Sequence, residues 1–163
     1  MHQQKDIGRF IAMVKDVRIC MMINNENDGG HLSGRPMAIS QVDDDGTMWF
    51  FSKSSSYKTA ALNEQNNVSL AIINEGDNNY LMIHGTVDLV NDKARMKELW
   101  SSMMKAWFPL GLDDPDMILI KVTPKEVNYW DSNSSSMIVL FNMLKAVVSG
   151  NEYAEDEQGT IRL

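Results

Sequence analysis

The stretch WFFSKSSSYKTAAL, residues 49–62, marks the point where this sequence changes from one type of secondary structure to another. Its first residues include aromatic side chains, which are favoured in β-strands, and its last residues are mostly helix formers. Between them stand three serines and Lys58. A helix start carries unpaired N–H groups and a positive dipole end, so hydroxyls and a lysine beside it are typical of a phosphate site. A serine N-cap with an exposed lysine explains the same letters without a ligand.

A second basic side chain is expected near this helix start. Arg35 lies in GRPM, residues 34–37, at the head of a predicted strand that returns through VDDDGT into the WFF strand. Asp-Gly tolerates the positive φ of a tight hairpin turn. The predicted hairpin therefore brings Arg35 close to Phe51 and Ser52. A surface salt bridge is the alternative explanation for Arg35.

The remaining pattern predicts an α+β fold that is mainly β. Apolar residues at helical or alternating spacing distinguish the elements. Helices are predicted at about 3–16, 56–65, 93–107 and 136–150, and strands at 18–24, 35–42, 48–52, 68–73, 80–90, 117–124 and 125–131. Six or seven short strands with flanking helices are typical of a mostly antiparallel β-barrel. One domain over 1–163 is expected, with residues 151–163 as an acidic, solvated tail.

Composition limits the classes of function open to the chain of 163 residues. Its formal charge is −7 and its pI is about 4.9, whereas non-specific binding to nucleic acid or to an anionic membrane needs a basic surface. No apolar run approaches the length of a membrane span, and we expect a cytoplasmic protein. Cys20 is the only cysteine and the three histidines lack metal-ligand spacing, so no metal site is predicted.

Several stretches together resemble one known family. They are RPM at 35–37, WFF followed by Ser-x-Lys at 49–58, NNVSLAI at 66–72, YLMIHG at 80–85 and the aromatic-rich run 99–131. On these residues the chain resembles the general stress protein group, general stress protein 26 type, of the pyridoxamine 5′-phosphate oxidase-like flavoproteins. The resemblance covers nearly the whole chain. It implies an FMN-binding split β-barrel.

The resemblance also implies which residues hold the flavin. Ser56 and Lys58 would receive the flavin phosphate, and Arg35 would lie by the flavin ring, where a cation raises its reduction potential. The implied cofactor-binding residues are Arg35, Pro36, Met37, Ala38, Phe51, Ser52, Ser56, Lys58, Tyr80, Trp107 and Trp130. The expected cofactor is FMN, with FAD as the alternative.

A homodimer with each flavin between the subunits follows from the same resemblance. Tyr80, Trp107 or Trp130 would then approach the flavin from the second chain or from the rim of its site. Aromatic rings offer a flat surface to a flat cofactor. Packing in the core or in an interface explains each of the two tryptophans equally well.

Departures from the family pattern limit the expected activity. Tyr57 stands where pyridoxamine phosphate oxidases carry an arginine, Ser40 stands where they carry a lysine, and their late Arg-x-His element is absent from the terminal TIRL. Vitamin B6 oxidation is therefore not expected. Two hypotheses remain: a flavin-dependent oxidoreductase that acts on an unidentified small molecule, and a non-catalytic protein that binds or stores FMN or FAD during stress.

Overall fold

The computed structural model describes residues 2–28, 31–64, 66–77, 79–130 and 158–162. Within these residues the chain forms a single sheet of eight strands, with three α-helices and two short 3₁₀ helices around it. The strands are β1 (Ile19–Asp28), β2 (His31–Ala38), β3 (Gln41–Val42), β4 (Met48–Lys53), β5 (Asn67–Asn74), β6 (Asn79–Val90), β7 (Met117–Trp130) and β8 (Gln158–Arg162). The helices are α1 (His2–Val14), α2 (Tyr57–Glu64) and α3 (Lys93–Leu99), and the 3₁₀ helices are Ser102–Ala106 and Gly111–Asp113.

The sheet curls into a split barrel, because one continuous run of chain joins the strands at its two ends. Its strand order is β2-β1-β5-β6-β7-β4-β3, with β8 also paired to β7, and all pairs are antiparallel. Only Ile39 and Ser40 separate β2 from β3, the two ends of this order. The Ile39 amide donates to the Arg18 carbonyl at 2.9 Å, and the Ser40 amide donates to the Trp49 carbonyl at 2.8 Å. The predicted class, a mainly β antiparallel barrel with flanking helices, is confirmed.

The predicted hairpin between residues 35–42 and the WFF strand is shorter than expected. Only Gln41 and Val42 pair with β4, across a turn in which Gly46 adopts a φ of 85°. The longer part of the predicted strand is β2, and it pairs with β1 instead. As a result no ladder joins β2, which ends at Ala38, to the part of β4 that follows Trp49.

Two apolar clusters lie on opposite faces of β4. Alternation along the strand places Phe50 in the barrel core, together with Phe10 of α1, and places Trp49 in a second cluster with Met96 and Leu99 of α3. Cys20 is buried in the barrel core, and its burial raises the pKa of the thiol to about 12. Both faces of β4 are therefore packed, which fixes the strand that leads to the predicted site.

The two strands predicted at 117–124 and 125–131 form the single strand β7. A β-bulge absorbs Lys125, because His84 of β6 pairs with Glu126 while Gly85 pairs with Pro124. A Cβ atom at Gly85 would lie 2.5 Å from the Thr123 carbonyl oxygen, so only glycine fits there. The prediction of two strands was wrong because a bulge lets a strand continue past a proline that lacks an N–H group.

The helix predicted over 93–107 is interrupted. Its start is confirmed, because the Asp92 carboxylate accepts hydrogen bonds from the Ala94 and Arg95 amides at 3.0 and 3.1 Å. The helix ends at Leu99, and Trp100 and Ser101 are extended before the first 3₁₀ helix begins. Consecutive serines favour caps and turns over helix interiors. No helix in the described part of the chain is long and apolar enough to cross a membrane.

The C-terminal segment differs from the expected solvated tail where it is described. Residues 158–162 form β8 beside β7. Ile161 is buried and pairs with Val127, while the Thr160 hydroxyl donates to the Asn128 side chain at 2.7 Å. The short alternation of polar and apolar residues after the acidic run is a strand pattern, and the prediction missed it. The helix predicted over 136–150 lies outside the described residues.

Candidate functional site

A cavity of about 400 Å³ opens where β2 and β4 separate. Three parts of the chain form its walls: the second half of β2, the end of β4 with the turn that follows, and the segment around the first 3₁₀ helix. The lining residues are Arg35, Pro36, Met37, Ala38, Phe51, Ser52, Lys53, Ser56, Met104, Trp107 and Phe108. This volume lies within the range of small-molecule sites.

Two strand edges face this cavity without a ladder between them. β2 pairs on one side only, with β1, and β4 beyond Trp49 pairs on one side only, with β7. In the described ranges no other strand pairs with these two edges. Backbone N–H and C=O groups at a strand edge are strong donors and acceptors. The split can therefore bind the polar rim of a flat ligand.

The polar end of the cavity lies where β4 leads into α2. The Ser56 amide donates to the Lys53 carbonyl at 3.1 Å, and the Ser56 carbonyl accepts from the Thr59 and Ala60 amides at 3.0 and 3.1 Å. Ser52 and Thr59 share a hydroxyl hydrogen bond of 2.9 Å. Because Ser56 also lines the cavity, the positive end of the α2 dipole adjoins it.

Ser54 and Ser55 do not extend this polar end, contrary to expectation. The Ser54 hydroxyl donates to Asp116 Oδ1 at 2.8 Å, the Ser55 amide donates to the same atom at 2.7 Å, and the Ser55 hydroxyl donates to Oδ2 at 2.6 Å. These hydrogen bonds, from Ser55 first and then Ser54, lower the pKa of Asp116 below its ordinary value. Of the three serines only Ser56 lines the cavity.

An aromatic wall forms another side of the cavity. Phe51 meets Trp100 edge-on with ring centroids 6.1 Å apart, and Phe108 lies 6.2 Å from Phe51. Phe108 is buried in the second cluster, whereas Trp107 is 68% exposed at the cavity. The wall therefore combines fixed rings with one large exposed ring, and it suits a planar aromatic ligand.

Most of the residues predicted for the site meet at this cavity. Eight line it: Arg35, Pro36, Met37, Ala38, Phe51, Ser52, Ser56 and Trp107. The backbone of Lys58 lies in the first turn of α2, but its side chain is outside the described part of the structure. Tyr80 and Trp130 pair with each other across β6 and β7 and do not line the cavity within one chain. The roles of all these residues in binding a cofactor remain predictions.

Three lining residues were missed by the sequence analysis. Lys53 is two positions beyond Phe51, so strand alternation places both on one side of β4. Met104 lies three positions before Trp107, a spacing at which helical side chains are neighbours, and Phe108 directly follows Trp107 in the sequence. Each was therefore detectable from its distance along the chain to a residue already predicted for the site.

The fold is that of a split β-barrel protein, with a cavity where its two strand edges separate. Residues 5–154 match the family described as pyridoxamine 5′-phosphate oxidase like. The chain belongs to this family.

Individual relatives agree with that assignment. Protein bli-3 of Neurospora crassa is 22% identical over 154 residues, which cover 89% of this chain and 72% of the relative. A candidate general stress protein 26 from Jannaschia sp. CCS1 is 25% identical over 100% of both chains, with a TM-score of 0.72. The general stress FMN/FAD binding protein from Xanthomonas citri is 27% identical, with a TM-score of 0.66 over 79% of this chain and 87% of that one.

Proposed function

We propose that this protein is a cytoplasmic, stress-related flavoprotein that binds FMN in the cavity between β2 and β4. One observation carries the proposal: two strand edges, an aromatic wall and a polar, cationic end meet around one cavity. These features match the polar ring edge, the flat ring system and the phosphate of FMN. The relative from Xanthomonas citri, described as an FMN/FAD binding protein, supports the proposal.

The chain offers a separate group for each part of the cofactor. Arg35 and the β2 backbone would hold the flavin ring edge, Phe51 and Trp107 would pack against ring faces, and Ser56 with Lys58 would hold the phosphate. Bound FMN supplies a ring that accepts and releases electrons or hydride. A cation such as Arg35 favours the reduced, anionic ring.

The proposed activity is that of a flavin-dependent oxidoreductase acting on a small molecule. Arg35 and Lys53 are the only ionisable side chains among the described residues that line the cavity. The reaction would therefore rely on the cofactor and need no protein nucleophile or carboxylate base. The same feature leaves flavin storage without turnover as the second candidate.

A homodimer is part of this proposal. Ile19 and Ile73, on the outward faces of β1 and β5, are 61% and 65% exposed. Ile73 pairs with Tyr80, which in turn pairs with Trp130, so an apolar row crosses the outer surface of the sheet. A second copy packed on this row would bury it and would bring both aromatic residues into the interface. Sedimentation should give twice the chain mass, and Ile73→Lys should shift the protein to monomer.

The first experiment measures cofactor retention. Purified protein is mixed with FMN, passed through a desalting column and examined by absorption and fluorescence, with FAD in a parallel sample. We expect flavin absorbance to elute with the protein and its fluorescence to change. Ala38→Trp, which fills the cavity, should abolish retention, and Ala94→Trp, on the exposed side of α3, should not. Equal retention by both variants would refute the site.

A second experiment separates the two candidate activities. The flavin-loaded protein is mixed with NADH or NADPH in a stopped-flow instrument, with free FMN as the control. Reduction faster than that of free FMN supports the oxidoreductase. Reduction no faster than free FMN, by either dinucleotide or by small donors, would leave storage as the function.

A further inference from the structure

We propose that Lys53, in addition to the Ser56 and Lys58 already proposed for the phosphate, makes this site prefer a phosphorylated flavin over riboflavin. The inference rests on the proposed function, because it assigns a specificity role within the same cavity. Lys53 lines the cavity together with Ser56, and the two are joined by the 3.1 Å hydrogen bond that closes the turn before α2. Lys53 therefore belongs to the polar end of the cavity.

The backbone of Lys53 is fixed on both sides. It pairs with Met117 as the last residue of the β4–β7 ladder. The next amide, that of Ser54, donates to the Asp116 carbonyl at 2.8 Å. Asp116 then binds the following turn through its carboxylate. The backbone from which the Lys53 side chain extends is therefore fixed by the segments on both sides of it.

The ammonium group of Lys53 is available to a ligand. In the described part of the chain, direct ion pairs join Arg95 to Asp43 and Glu98, and Arg162 to Glu126. Lys53 belongs to none of these pairs. The nearby Asp116 carboxylate is already bound by the two serines. Among the described residues Lys53 has no direct ion pair to break, and only its longer-range attraction to the Asp116 charge competes with a phosphate.

The surroundings of Lys53 make a cation necessary for phosphate binding. Asp116 places a negative charge close to Lys53, and it uses the hydroxyls of Ser54 and Ser55. A phosphate monoester brings a charge of about −1.5 to −2 at neutral pH. Without Lys53 such a group would meet the Asp116 charge with fewer donors. Riboflavin carries no phosphate and would not experience this repulsion.

The test compares FMN and riboflavin affinities by fluorescence titration in wild type, Lys53→Gln and Lys53→Arg. We expect Lys53→Gln to weaken FMN binding by about 10- to 100-fold, the range of one charge-assisted hydrogen bond. Riboflavin binding should stay unchanged, and Lys53→Arg should retain most of the preference for FMN. Lys97→Gln, on the exposed side of α3, makes the same charge change outside the cavity and should leave both affinities unaltered.

Two further outcomes separate this inference from the proposed function. If wild type binds both flavins and Lys53→Gln weakens them equally, or weakens neither, the role of Lys53 is refuted while the flavin site stands. If wild type binds neither flavin, both proposals fail. Raising the salt concentration should weaken FMN binding more in wild type than in Lys53→Gln, because only the former retains the charge that salt screens.

Discussion

An aspartate holds each end of β4, and the two aspartates bind different partners. Asp43, in the turn before the strand, accepts from the Trp49 indole at 2.7 Å and binds Arg95 Nη2 through both carboxylate oxygens at 2.7 and 2.8 Å. Asp116, beyond the far end, accepts from Ser54 and Ser55 alone in the hydrogen bonds described. One end is thus held by a charged network and the other by neutral donors.

The difference between the two ends matches what lies beside them. The Arg95 guanidinium stacks over the Trp49 ring at 4.7 Å and joins α3 to the β3–β4 turn, away from the cavity. Asp116 shapes the turn that carries Lys53 and Ser56 to the cavity. We infer that the first end serves stability and that the second serves the site.

The largest effect is expected from removing Asp43. Asp43→Ala leaves the partly buried Arg95 guanidinium and the Trp49 indole without their acceptor, and should lower the free energy of unfolding by about 2 kcal/mol. FMN affinity should not change. Urea unfolding and FMN titration of the same preparation measure both quantities. A fall in FMN affinity with unchanged stability would reverse the roles assigned to the two ends.

A fall in pH should also remove the stability that Asp43 contributes at its end of β4. Burial raises the pKa of Asp43, but hydrogen bonds from Trp49, Gln41 and Arg95, with the Arg95 charge, outweigh it and leave the pKa below its ordinary value. Ionised Asp43 therefore contributes stability above the unfolded pKa of about 3.9, and this contribution is lost as pH falls through the folded pKa. Melting temperatures from neutral pH to about pH 2.5 should fall more steeply in wild type than in Asp43→Asn. Parallel curves would contradict this assignment.

Substitutions of Asp116 should act mainly on the ligand. Asp116→Ala releases the turn at residues 54–55 and should weaken FMN binding severalfold with only a small loss of stability. Asp116→Asn retains an acceptor oxygen while it removes the negative charge near the phosphate. We expect the asparagine variant to bind FMN at least as tightly as wild type in the same titration. Equal weakening by both substitutions would mean that the charge of Asp116 itself is required.

The smallest effects on FMN affinity are expected from substitutions of the neighbouring serines Ser54 and Ser56. Ser56→Ala removes a hydroxyl that lines the cavity and should weaken FMN binding by about 2- to 10-fold, the range of one neutral hydrogen bond. Ser54→Ala removes a hydroxyl that donates to Asp116 and should leave FMN affinity nearly unchanged. The two variants form a matched pair in one turn. If Ser54→Ala were the more damaging, the turn would bind phosphate through a different serine.

Local patterns in the sequence predicted much of this arrangement. The alternation of Phe50 and Phe51, the change to helix near residue 57 and the Asp92 cap depend on near neighbours, so the sequence predicts them directly. Local patterns also indicated that Arg35, Ser52 and Ser56 lie near one helix start, whereas the family resemblance implied Pro36, Met37, Ala38 and Trp107. Residues such as Phe51 and Ser56 are close in sequence, and their proximity in the fold follows from one turn.

Contacts between distant parts of the chain were not predictable in this way. The chain closes the barrel through Ile39 and Ser40 because the strand before them pairs with β1 and the strand after them pairs with β4. No local pattern in the sequence specifies both partners. The hydrogen bonds of Asp116 to Ser54 and Ser55 join residues far apart in sequence, so those serines were expected at the ligand. The bulge at Lys125 depends on the close approach of Gly85 from another strand. Each of these features arises from tertiary packing, which overrides local preference.

The ladder between β4 and β7 has a consequence for the order in which the protein is made. Residues of β4 leave the ribosome well before residues 117–122 of β7, which pair with them. During that interval β4 lacks the β7 neighbour that fixes Lys53 and the following turn, and a strand edge exposed in this way can pair with other chains. The cavity therefore cannot assemble on a nascent chain until β7 has been synthesised. We expect cofactor capture to follow translation of the β7 segment, and chains stalled before that segment to aggregate.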